Sequence, residues 1–377
     1  MCLALRHARR GYGMTSPNPM VGAVLVKGGK IIGRGWHRRA GLPHAEIEAL
    51  RDAQKRGHSP RGATLYVTLE PCCTFGRTPP CTDAIIAAGI KRVVVGAIDP
   101  NPKHAGRAFQ ILHRAGVEVA HGILADECAR LNEAFNHWIV HRTPFVTVKA
   151  AMTLDGKIAT ASGESKWITG EKARAYAMKS RQGADAILVG VNTILADDPS
   201  LTFRPAGNLQ PSTFNTQRPA PRRIILDSLA RTPLNAKVVS DEFAALTTVV
   251  VSKRAPKKRV ATLAKCANVL VAPAKKSQIA NRKSQINLCW LLKKLGAESV
   301  TSLLVEGGGE VNASFLLGGL THRVVFFYAP KILGGREART AVGGDGAKNP
   351  GQAVQLREIE WKKIGADLMM TAGVVSG

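Results

Sequence analysis

One imidazole, two or three thiols and a spare carboxylate cluster between His44 and Cys81. Pro43-His44-Ala45-Glu46 lies on the first turn of a predicted helix, and Glu70-Pro71-Cys72-Cys73-Thr74-Phe75-Gly76-Arg77-Thr78-Pro79-Pro80-Cys81 follows a predicted strand. A catalytic zinc takes three protein ligands of N or S type and keeps its fourth position for water, whose pKa then falls to roughly 7. His44, Cys72 and Cys81 can fill those places. Glu46 lies two residues past the histidine, where it can reach the same water as a general acid/base without serving as a ligand. The second thiol is less determined. Cys73 follows Cys72 at once, with poor geometry for joint tetrahedral ligation, whereas Cys81 returns across a loop holding Gly76, Pro79 and Pro80. We take Cys81 as the ligand and keep Cys73 as the alternative.

Singly, each of these residues reads as an ordinary buried cysteine or surface histidine. Their order is more specific, because His-x-Glu followed by Pro-Cys is the signature of zinc deaminases. Alternating strand and helix signals must position them. Val21 to Val26 and Ile31 to Trp36 flank Lys27-Gly28-Gly29-Lys30 as a hairpin. A helix from His44 to Lys55 ends at Gly57, and the strand Thr64 to Leu69 precedes the thiols. Then come a helix Thr82 to Ala88, a strand Arg92 to Ala97, a helix Ala105 to Arg114, a strand Val117 to Ala120 and a helix Asp126 to His141. Arg142-Thr143-Pro144 ends that helix and marks a boundary near residue 143.

The second half restarts with a strand, Phe145 to Ala151. Apolar runs follow at Ala186 to Val191, Arg223 to Asp227, Thr247 to Val251, Val269 to Ala272, Ser302 to Val305 and Val324 to Tyr328, as in a second α/β domain with a largely parallel sheet. The turn Glu306-Gly307-Gly308-Gly309-Glu310, between a strand and the helical run Val311 to Leu317, lets backbone approach a ligand and offers helix N-terminal amides to a phosphate. It is not the spaced G-x-G-x-x-G fingerprint, so a Rossmann domain is not supported. Lys276-Ser277-Gln278-Ile279 recurs as Lys283-Ser284-Gln285-Ile286, and Lys276 to Asn287 reads as a surface insertion.

At 377 residues the chain is long enough for two domains with their own cores. Seven cysteines without small-domain spacing argue for reduced thiols and a cytoplasmic setting. Neither a secretion signal nor a membrane span is expected. The net charge of +26, spread over both halves, could attract nucleic acid or phosphorylated small molecules. The basic residues lack aromatic interleaving, so a nucleic-acid partner is not expected.

Together these residues resemble the bifunctional deaminase/reductase family of riboflavin biosynthesis. The resemblance rests on Ser16-Pro17-Asn18-Pro19 with Val21-Gly22, His44-Ala45-Glu46, Glu70-Pro71-Cys72, Gly76 through Cys81, Asp99-Pro100-Asn101-Pro102, and Leu131-Asn132 with Phe135. It continues through Lys149, Leu154-Asp155-Gly156, Ser162 to Ser165, Trp167-Ile168-Thr169, Asp197-Asp198-Pro199, Leu201-Thr202 and Glu306-Gly307-Gly308. The run Gly76-Arg77-Thr78-Pro79-Pro80-Cys81 separates the family from nucleic-acid deaminases.

The resemblance implies a cytidine-deaminase-like domain over residues 1–143 and a dihydrofolate-reductase-like domain over 144–377. Water activated at zinc would replace the amino group of a phosphoribosylated diaminopyrimidine, with Glu46 carrying the proton. Asn18 and His37 would hold the pyrimidine and Arg77 its phosphate. NADPH would then reduce the ribosyl chain to ribityl. Matching positions place the dinucleotide at Ala151, Trp167, Thr193, Asp197, Ser228, Gly308, Gly309, Glu310, Val311, Asn312, Ala313 and Ser314. They place substrate at Lys149, Ser165, Arg181, Leu201, Arg204 and Glu306. A homo-oligomer is also implied. Members usually begin a few residues earlier, with an acidic residue ahead of the first helix, whereas Met1 here enters the helix directly. Cys73-Thr74-Phe75 replaces the serine and histidine commonly found there.

Overall fold

A computed structural model describes residues 1–76, 79–203, 220–273 and 286–375. The chain divides after Thr143 into the units Met1–Thr143 and Pro144–Gly377.

The first unit runs α1 (Cys2–Ala8), β1 (Gly22–Lys27), β2 (Lys30–Trp36), α2 (Ala45–Lys55), β3 (Thr64–Leu69), α3 (Cys81–Ala87), β4 (Arg92–Ala97), α4 (Arg107–Arg114), β5 (Glu118–His121), α5 (Ala125–Leu131) and α6 (Glu133–His141). Its sheet has the order β2-β1-β3-β4-β5. The hairpin and the β1/β3 pair are antiparallel, and β3/β4 and β4/β5 are parallel. Leu25, Leu65, Val67, Val93 and Val95 form the sheet side of the core, against Ala45, Ala49 and Ala53 of α2. These alanines face Gly33 and Gly35 of β2. A Cβ on Gly33 would lie 2.3 Å from the Ala49 carbonyl oxygen, and one on Gly35 2.2 Å from that of Ala45. Backbone-to-backbone contact therefore sets how α2 lies on the sheet, and with it the position of His44 at the helix start.

The single helix expected from Asp126 to His141 is instead two, broken at Asn132. The Asn132 side chain accepts from Met20 N–H at 2.7 Å and donates to the Met20 carbonyl at 2.9 Å. That bond pair, far along the chain, holds Asn132 at φ −117°, ψ 23°, outside the helical range.

The second unit contains β6 (Phe145–Thr153), β7 (Lys157–Ala159), α7 (Glu171–Gln182), β8 (Ala186–Gly190), α8 (Val191–Asp197), β9 (Arg222–Leu226), α9 (Lys237–Ser240), β10 (Thr247–Ser252), α10 (Lys257–Leu263) and β11 (Asn268–Ala272). It continues with α11 (Leu288–Ala297), β12 (Ser302–Val305), α12 (Gly309–Leu316), β13 (Arg323–Ala329), β14 (Arg339–Thr340), β15 (Leu356–Ile364) and β16 (Asp367–Val374). Its main sheet has the order β11-β10-β9-β8-β12-β6-β13-β16-β15. From β11 to β13 every pair is parallel, and β16 and β15 close the edge antiparallel.

The β15/β16 hairpin was absent from the expected apolar runs. β15 is exposed along nearly its whole length and carries Arg357, Glu358, Glu360, Lys362 and Lys363. Such charges, with a register shift between Arg357 and Glu360, suit an edge strand and hide its apolar signal. Residues 276–285 of the expected insertion lie outside the described residues. Its end belongs to the fold: Ile286 is buried in the main core, and Asn287 caps α11 by accepting from Trp290 N–H at 3.0 Å. Among the described residues no helix is long and apolar enough to cross a membrane.

Candidate functional site

His44 is the N-cap of α2, with extended backbone at φ −73°, ψ 166°, and Cys81 is the first residue of α3. Cys72 follows the end of β3. Their ligand atoms all lie within 4.8 Å of one another. His44 Nδ1 stands 3.4 Å from Cys72 Sγ and 3.3 Å from Cys81 Sγ. Tetrahedral zinc, with bonds of about 2.1 Å to nitrogen and 2.3 Å to sulfur, holds such atoms about 3.6 Å apart. The donor set therefore fits zinc in both geometry and chemistry. The three groups also perturb one another electrostatically. The Cys81 thiol hydrogen-bonds Cys72 and, with His44, pulls the Cys72 thiol well below its usual range. The same contact, with burial, holds the Cys81 thiol up, and the bond to Cys72 raises His44. Cys73, the alternative ligand, is not in this group. Burial raises its thiol, with the carboxylate of Glu70 as the next cause.

Glu46 sits on the first turn of α2, 3% exposed, and hydrogen-bonds Cys81. Burial lifts its carboxyl from 4.5 to about 7, so it can hold or release a proton near neutrality. His37 is equally buried. It donates from Nδ1 to the Pro43 carbonyl at 3.1 Å, which leaves Nε2 to accept from Asn18 Nδ2 at 3.1 Å. Burial lowers its pKa and keeps it neutral in this role. Its ring meets His44 edge-on at 5.2 Å. Asn18, His37, His44, Glu46, Cys72 and Cys81 thus converge in one place. Arg77 lies outside the described residues.

In the second unit, a cleft of about 2500 Å³ opens where β8, β9 and β12 end. Ala151, Trp167, Thr193, Asp197, Ser228, Gly308, Gly309, Glu310, Val311, Ala313 and Ser314 line it, as do Lys149, Ser165, Arg181, Leu201 and Glu306. Arg204 lies outside the described residues. Asn312 is fully buried instead, and its amide donates to the Ala341 carbonyl at 2.8 Å. The helical period turns it away from the face shared by Gly308 and Val311. Gly309 meets the strap behind it closely: a Cβ there would lie 2.5 Å from the Thr340 carbonyl oxygen. Arg181 differs from an open phosphate clamp. It donates to Glu306 Oε2 from Nε at 3.0 Å and from Nη2 at 2.6 Å, while Lys149 Nζ is 3.9 Å from Glu306 Oε1. Burial would raise the Glu306 carboxyl, but these two cations hold it below its usual range.

Residues 1–97 match the cytidine and deoxycytidylate deaminase zinc-binding region, and residues 144–370 match the RibD C-terminal domain. Riboflavin biosynthesis protein RibD of Actinobacillus pleuropneumoniae is 43% identical over 375 residues, covering 99% of this chain and 94% of its own. That of Aquifex aeolicus is 44% identical over 370 residues, covering 98% and 96%. The chain belongs to the RibD family. Solved relatives agree over the whole length. Acinetobacter baumannii RibD superimposes with a TM-score of 0.84 at 36% identity, covering 99% of this chain and 97% of that one. A Thermotoga maritima diaminohydroxyphosphoribosylaminopyrimidine deaminase/5-amino-6-(5-phosphoribosylamino)uracil reductase gives 0.81 at 35%, covering 100% and 97%. RibD proteins are bifunctional, so this chain is a deaminase and a reductase of riboflavin biosynthesis, with a zinc-binding deaminase domain ahead of the reductase domain.

One buried anchoring carboxylate was given no role by the sequence reading. Glu70, 3% exposed, accepts from the N–H groups of Asp99 at 3.2 Å, Gly106 at 2.9 Å and Ala108 at 3.1 Å. It caps α4 and ties the start of the thiol loop to the Asp99-Pro100-Asn101-Pro102 turn. An acidic residue ending an apolar strand, two places before a ligand thiol, was the available signal.

Proposed function

We propose that residues 1–143 hydrolytically deaminate 2,5-diamino-6-(5-phosphoribosylamino)pyrimidin-4(3H)-one and that residues 144–377 then reduce the ribosyl side chain with NADPH. The convergence of His44, Cys72 and Cys81 beside the buried carboxyl of Glu46 carries the first half of this reading. Zinc bound there supplies a water of lowered pKa. With zinc held by His44, Cys72 and Cys81, Glu46 would take a proton from that water and return it to the ring and the departing amine, a task suited to a buried carboxyl beside the ligands. Asn18 and neutral His37 orient the pyrimidine, and Arg77 takes the phosphate.

The nicotinamide cofactor supplies hydride to the second step. Gly308 and Gly309 let its backbone neighbours approach closely, and the first amides of α12 suit a phosphate. Lys149, Glu306 and Arg181 form a charged, oriented set for the substrate's hydroxyls and phosphate. The family resemblance supports a cytoplasmic homo-oligomer acting on a small molecule.

The test follows ammonia release and NADPH oxidation separately, for wild type and Glu46→Ala. The reading requires that wild type does both and that the variant loses only ammonia release while still reducing supplied deaminated intermediate. Zinc binding without ammonia release in wild type would refute it.

A further inference from the structure

We infer that His104 is a positioning residue for the deaminase step, holding the thiol loop in place through the hydroxyl of Thr74. This rests on the deaminase reading above. The Thr74 hydroxyl lies on the loop between Cys72 and Cys81, 2.9 Å from His104 Nε2. The other ring nitrogen, Nδ1, is 2.6 Å from Asp99 Oδ2. The His104 side chain is 11% exposed and that of Asp99 6%, so water does not readily replace either bond.

His104 itself has little freedom. Asp99 Oδ1 accepts from Asn101 N–H at 2.9 Å, His104 N–H donates to the Asn101 carbonyl at 2.8 Å, and Arg107 N–H donates to the His104 carbonyl at 2.8 Å. Glu70 anchors the same turn from the other side through Asp99, Gly106 and Ala108. The turn is thus a frame with two attachments to the thiol loop. Glu70 holds the loop's start, and His104 holds it two residues beyond the first ligand. This gives Asp99-Pro100-Asn101-Pro102 a task in the first unit. It also gives a partner to Thr74, one of the positions where this chain departs from the family pattern.

The bond order follows from the donors. Asp99 as carboxylate accepts from Nδ1–H, and Nε2 then accepts from the Thr74 hydroxyl, or donates to it when the ring is charged. Either way the hydroxyl has a partner, which valine at 74 or phenylalanine at 104 removes.

The experiment is a double-mutant cycle on the full-length, zinc-loaded protein: Thr74→Val, His104→Phe and both, with His104→Gln as the conservative variant. Ammonia release gives kcat and KM, and the cobalt-substituted proteins give the thiolate-to-metal absorption. Loss of one buried hydrogen bond is worth about tenfold, or roughly 1.4 kcal/mol. Each single variant is expected to lower kcat about tenfold with KM little changed and to shift the cobalt absorption. The double variant is expected to fall no further than either single one, because both act through one bond. His104→Gln, which keeps a donor and an acceptor, is expected to recover part of the loss. Thr74→Val removes only a hydroxyl, so its result stands even if His104→Phe folds poorly. Single-variant losses that multiply in the double variant, or an unchanged kcat in Thr74→Val, would overturn the inference. If wild type released no ammonia, the deaminase reading would fail by itself. The cobalt spectra would then decide on His104 alone, and identical spectra in wild type and Thr74→Val would overturn it.

Discussion

Glu46→Gln is expected to make the metal-free protein more stable at neutral pH and to slow deamination by the zinc-loaded protein. The carboxyl is 3% exposed, and burial lifts its pKa from 4.5 to about 7. At roughly 1.36 kcal/mol per pH unit, that rise is worth about 3 kcal/mol. The folded-state pKa is the higher one, so between pH 4.5 and 7 the folded chain binds more proton than the unfolded chain. Stability therefore falls as pH rises through that window, and the full cost is present above pH 7. Glutamine has nearly the same shape and no titration, so it escapes the cost. The assay compares thermal unfolding of metal-free wild type and Glu46→Gln at pH 5, 6, 7 and 8, taking the transition of the first unit. Subtracting the two removes the contributions of His37, His44 and the thiols, in so far as these are common to both proteins. The difference should be small at pH 5 and should grow by about 2–3 kcal/mol toward pH 8. Zinc should then stabilise wild type more than the variant at pH 8, because a cation favours the ionised carboxylate. Ammonia release should fall by about 10²–10⁴. A stability difference that stays flat from pH 5 to 8 would refute the account of Glu46 as a buried, proton-holding group.

Three further outcomes are expected. Cys72→Ala and Cys81→Ala should lose bound zinc by elemental analysis, whereas Cys73→Ala should keep it, because Cys73 stands outside the ligand group. Gly309→Ala would place a methyl 2.5 Å from the Thr340 carbonyl oxygen. It should weaken NADPH binding about tenfold, or roughly 1.4 kcal/mol, in a titration, with ammonia release unchanged. Asp241→Ala should lower the urea stability of the second unit by about 3–5 kcal/mol. It strands Arg223, a fully buried guanidinium that donates to both Asp241 oxygens at 2.7 Å.

The candidate metal group was legible because its residues lie in two short segments whose local signals, a helix start and a strand end, already imply where each side chain emerges. The sequence favoured Cys81 over Cys73, and the start of α3 carries Cys81 back toward His44 and Cys72 while Cys73 stands outside that group. The edge hairpin β15/β16 was hidden because its outer strand carries five charged residues and no continuous apolar run, and the pairing of β16 with β13 that makes it part of the sheet is a tertiary fact.

Residue types and order alone determined the donor set, the spare carboxylate, the two-unit plan and the glycine turn at Gly307 to Gly309. These are local properties, fixed by what a few neighbouring residues can do. Tertiary structure decided which side chains meet. It broke the helix at Asn132 to bond Met20, turned Asn312 inward to Ala341, engaged Arg181 with Glu306 and brought His104 to Thr74. Each of those contacts joins segments well separated along the chain. Partner choice there depends on strand order, helix rotation and burial, which no local pattern of residues carries.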